Sequence, residues 1–127
     1  MAVSDTKLIS LPAGTTFAEA DLYRAVGVSA TGGAVLYSAA AASTGGMAVI
    51  GTLYGITSTT NAGQAVEIGV GPIVKAFAAG STESAGGIVT FSSDDAHLVA
   101  RTTNEPYGVI VDGASGTTGR IVSVFVL

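Results

Sequence analysis

Five times in 127 residues a glycine preceded by Ala, Gly or Thr is followed, one residue on, by Ala or Ile and then by Val. The copies are Gly32-Gly33-Ala34-Val35, Gly46-Met47-Ala48-Val49, Gly63-Gln64-Ala65-Val66, Gly86-Gly87-Ile88-Val89 and Gly119-Arg120-Ile121-Val122. Glycine adopts backbone angles that a Cβ forbids, and Ala-Val or Ile-Val then resumes the extended chain. Each copy therefore reads as a turn feeding a strand start. Five such starts predict an all-β chain of short strands and tight turns. The intervals between copies run from 14 to 33 residues, whereas a solenoid or propeller needs a fixed period. A small β-barrel or β-sandwich of unequal hairpins is left.

Strands are expected over residues 22–28, 34–38, 47–50, 53–57, 65–70, 73–77, 88–91, 98–101, 109–111 and 120–127, where Val, Ile, Tyr, Phe and Thr dominate. Residues 1–16 read as an extended N-terminal arm and 17–127 as a single β domain. Within the arm, residues 7–11 have the alternative of adding an edge strand to the sheet. Thr16-Phe17-Ala18-Glu19 matches the capping-box pattern, so one short helix at most is expected, around residues 17–23.

Charged residues are only 11% of the chain, with a net charge of −4, against about a quarter in an average domain. The five basic residues, Lys7, Arg24, Lys75, Arg101 and Arg120, are scattered. That pattern predicts no nucleic-acid footprint. Residues 25–66 carry no charge at all, yet repeated glycines break them into pieces too short for a spanning helix, and open strands leave their edges unpaired in hydrocarbon. No membrane association is expected. A charge-free third of the chain implies that part of its surface is covered by other subunits. The apolar run at residues 8–11 ends at Pro12, too short for a signal peptide's core.

Candidate chemistry is sparse. Cysteine is absent, which removes disulfides, thiolate zinc sites and thiol nucleophiles. His97 is the single histidine and stands near Asp94 and Asp95; ligands so close in sequence rarely converge on one ion. Gly113-Ala114-Ser115-Gly116 lacks the final glycine of a nucleophile elbow, and no helix is expected after it. The run Gly69-Val70-Gly71-Pro72-Ile73-Val74 lacks the last glycine of a dinucleotide fingerprint. Tyr23, Tyr37, Tyr54 and Tyr107 are widely spread and Trp is absent, so an aromatic platform has weak support. The residues predict no catalytic, cofactor or metal site, and an enzyme is not expected.

Three stretches have a familiar order. Residues 53–74 read LYGITSTTNAGQAVEIGVGPIV, residues 78–94 read AAGSTESAGGIVTFSSD, and residues 107–127 read YGVIVDGASGTTGRIVSVFVL. The order of an AG-Q-A-V-E-I strand, a Gly-Pro-Ile-Val-Lys strand, an AGG-I-V turn, a D-D turn and a Gly-rich hairpin into Val-Ser-Val resembles tailed-phage capsid cement (head decoration) proteins. The resemblance spans roughly residues 17–127, by pattern order. It implies a β-barrel or β-sandwich protomer, homotrimers, and attachment to the major capsid protein on the outer face of the shell at capsomer junctions. It implies no catalytic residues and a virion location after synthesis in the host cytoplasm. The alternative is a β-sandwich binding module of a viral fibre or carbohydrate-binding type.

Overall fold

A computed structural model describes residues 6–29, 32–37, 48–55, 59–78, 85–92, 96–101, 106–112 and 120–127. Eleven strands are formed among them: β1 (Thr6–Pro12), β2 (Phe17–Ala18), β3 (Ala25–Val28), β4 (Ala34–Leu36), β5 (Gly51–Gly55), β6 (Thr59–Thr60), β7 (Ala65–Ala78), β8 (Ile88–Phe91), β9 (Leu98–Ala100), β10 (Gly108–Asp112) and β11 (Arg120–Val126). The all-β reading holds. Four of the five glycine motifs lead into a strand, namely β4, β7, β8 and β11. Gly32, Gly63 and Gly86 have φ of +99°, +90° and +85°, the left-handed turn geometry that favours glycine. The motif at residues 46–49 does not: residues 48–50 are irregular and the strand begins at Gly51.

β7 organises the molecule. The sequence pattern predicts two strands here, over 65–70 and 73–77, parted by Gly71-Pro72. The structure runs one 14-residue strand through both, because each half is paired by a different set of neighbours. The second half joins β11, and the order β7–β11–β10–β8–β9 returns to β7 through a parallel pairing of Ala78 with Leu98. This ring is a closed five-stranded barrel. The first half joins β1 on one side and β5 on the other, and β5 continues to β3 and β4. A bridge from Ala13 to Ala34 brings the two ends of this second sheet together. Opposite Lys7 and Leu8 the register skips Val70, a bulge that bends β7 where it passes from the second sheet into the closed barrel. There Gly71 has φ +115° and the Gly71–Pro72 peptide is cis.

The closed barrel and the second sheet each have their own core, and β7 supplies both. Val66 and Ile68 pack with Phe17, Val26, Ala34 and Leu53, whereas Val74, Ala76 and Ala78 pack with Val89, Phe91, Leu98, Ile110, Val122 and Val124. The core side chains that β7 contributes, Val66, Ile68, Val74, Ala76 and Ala78, are all even-numbered, the two-residue alternation of a strand. Part of the charge-free segment 25–66 enters these cores: Ala25, Val26, Ala34, Thr52 and Leu53 have no exposed surface.

Of the residues read as an arm, Thr6–Pro12 take the edge-strand alternative and pair along β7 from Pro72 to Ala65. The short helix is a single 3-10 turn at Glu19–Asp21, and its start lies two residues beyond the one expected. Phe17 and Ala18 are drawn into pairing with β6, so the Asp21 carboxylate, not Glu19, receives an amide, that of Ala18, at 2.8 Å. Among the described residues no helix is long and apolar enough to cross a membrane.

Candidate functional site

His97 is partly buried just before β9, with its Nδ1 enclosed and without a hydrogen-bond partner among the described residues. Asp94, Asp95 and the run Gly113–Gly116 lie outside the described residues, and no cluster of metal-ligating side chains is found among those described. Gly69 to Val74 form the crossing region of β7, a structural role in place of a phosphate loop.

The aromatic residues that looked scattered are gathered in pairs. Tyr23 and Tyr54 meet edge to face with ring centroids 5.3 Å apart, and Phe91 and Tyr107 do so at 4.7 Å. The second pair borders a cavity of about 360 Å³, completed by Tyr37, Ala48, Val49, Thr90 and Pro106. Backbone bonds place these side chains. Tyr107 donates its amide to the Val89 carbonyl and Tyr37 to the Ala25 carbonyl, so the segment preceding β10 is pinned to β8 and the segment following β4 to β3. No charged side chain lines this cavity among the described residues, which suits a neutral, largely apolar group. The Tyr107 hydroxyl is buried and has no hydrogen-bond partner among the described residues, and burial, with the Tyr54 phenol adding to it, pushes its ionisation well above the ordinary tyrosine range. Residues 37, 91 and 107 have no spacing that announces such a meeting; only the topology brings them together.

The closed barrel also has an apolar exterior. Along its outer surface Ile73 pairs with Phe125, Phe125 with Val109, and Val109 with Ile88, so four strands contribute one continuous row. A second apolar pair, Phe77 with Ile121, lies further along β7 and β11, and the Arg24 guanidinium stacks 4.6 Å above the Phe77 ring. Ile88, Val111, Ile121 and Phe125 remain 42–47% exposed. A contiguous face of this kind marks a binding surface in soluble proteins. Sequence reading did not find it, because Ile73, Ile88, Val109 and Phe125 look like ordinary strand residues until the register aligns them.

No family model and no curated protein matches this chain. A solved structure does: the crystal structure of the head fiber gp8.5 N base in bacteriophage phi29. The likeness covers 97% of this chain and 95% of that one, with a TM-score of 0.60 and 14% identity. At that identity it shows a shared fold.

Proposed function

We propose that this chain is a non-enzymatic structural protein of a phage head. In this reading it is a capsid cement or decoration protein that binds the major capsid protein on the outer surface of the shell, at capsomer junctions, as a homotrimer. The observation that carries the reading is the fold shared over nearly the whole of both chains with the phi29 head fiber base. The pattern-order resemblance of residues 17–127 to cement proteins points to the same part of the virion. The physics is sound: a ligand that binds only the assembled junction stabilises the shell by mass action, and several weak contacts from one oligomer reinforce each other.

A base module of a head fibre is the second reading, favoured by the structural neighbour being the base of a head fiber and by the aromatic-lined cavity. Co-sedimentation of the purified chain with empty shells of the cognate major capsid protein tests the first reading. Saturable binding that raises the temperature of shell disruption is the expected result. Binding to unassembled capsid protein alone, or no binding, overturns it.

A further inference from the structure

On the outer face of the closed barrel one level of the sheet is polar. Lys75 on β7 pairs with Ser123 on β11, and Ser123 pairs with Asp112 on β10. Lys75 and Asp112 are exposed, whereas Ser123 between them is 8% exposed. The level therefore carries a positive charge at one end, a negative charge at the other and a small side chain in the middle. Neither Lys75 nor Asp112 makes an ion pair with another described residue. One level along is the apolar row through Ile73, Phe125 and Val109, and on the other side lie Phe77 and Ile121.

We propose that this face is the subunit contact, with three copies of the chain arranged around an axis parallel to β11. The inference rests on the trimeric reading above and specifies the surface it uses. Rotation about an axis parallel to the strands keeps every level in place, and it sets the β7 side of one copy against the β10 side of the next. Lys75 then faces the neighbour's Asp112, once at each of three contacts. Ile73 faces the neighbour's Val109, and Phe125 and Ile121 point toward the axis, where they leave water. The small Ser123 lets the convex barrels approach at the polar level. A second copy is favoured as the occupant because both halves of the complementary charge pattern belong to this one chain, at the same level of the same sheet. A cyclic assembly repeats each contact identically.

Light scattering across a concentration series, on the free chain, tests the arrangement. The expected wild-type mass is that of a trimer. Phe125→Glu should yield a monomer whose circular dichroism is unchanged. Lys75→Asp and Asp112→Lys should each raise the concentration of half-assembly about tenfold, since like charges then meet across every contact, and the double charge swap should restore it to within about threefold. A wild-type monomer or dimer overturns the threefold contact, as does a trimer indifferent to Phe125→Glu or a swap that fails to rescue. Shell co-sedimentation is read separately: a wild-type monomer that still binds shells rejects only this interface, whereas a trimer that ignores shells rejects only the cement function.

Discussion

The ring of Tyr54 occupies the space that a side chain at Gly69 would need: a methyl group built on Gly69 would lie 2.5 Å from Tyr54 Cε1. This is the joint between the second sheet and the closed barrel. Tyr54 Oη accepts the Lys75 amide at 2.5 Å, Thr52 Oγ1 donates to the Lys75 carbonyl at 2.8 Å, and Thr6 Oγ1 donates to the Ile73 carbonyl at 2.7 Å. Side chains from one sheet thus serve the backbone of β7 where it has entered the other, and the Phe77 amide donates to the Tyr23 carbonyl beside them.

Gly69→Ala should destabilise the fold by about 1–3 kcal/mol, the usual cost of forcing atoms into a filled site. Tyr54 cannot swing away without giving up its bond to Lys75. Thermal unfolding checks this, and pairing the change with Tyr54→Ala, which opens the space, should make the two effects less than additive.

The two grips on Lys75 should differ in worth. Thr52 is fully buried, so Thr52→Val keeps the shape but strands the Lys75 carbonyl, at about 1–3 kcal/mol. The Tyr54 bond is exposed, water can replace it, and Tyr54→Phe should cost only about 0.5–1.5 kcal/mol. Urea denaturation of both variants gives the comparison, and a larger loss for Tyr54→Phe would contradict this ranking.

Phe17 closes the second core from a two-residue strand and has no exposed surface. Phe17→Ala should cost about 3–5 kcal/mol, and Phe17→Leu much less because most of the volume is kept. Equilibrium denaturation measures both.

Tyr107 makes stability fall in alkali. Its folded-state ionisation lies above the ordinary value of 10.0, so the folded chain holds a proton that the unfolded chain releases. The stabilisation is complete below pH 10 and is lost as pH rises from there toward the folded-state value. Tyr107→Phe should flatten that alkaline decline, measured as the denaturation midpoint from pH 8 to pH 11.

What the sequence determined by itself is local. Gly63-Gln64-Ala65-Val66 and Gly86-Gly87-Ile88-Val89 announce their strands because a left-handed glycine and an apolar, β-branched start depend only on near neighbours. Alternation, too, was written in the chain, as Val66, Ile68, Val74, Ala76 and Ala78 facing inward show. Where Gly71-Pro72 read as a break, tertiary pairing decided otherwise: β1 and β5 hold one side of it and β11 the other, so the strand continues. The capping box at Thr16 lost to the burial of Phe17 for the same reason. The cavity around Phe91 and Tyr107, and the level that joins Lys75, Ser123 and Asp112, depend on pairings between residues tens of positions apart. Such pairings are set by which strands close the barrel, and no window of the sequence contains them.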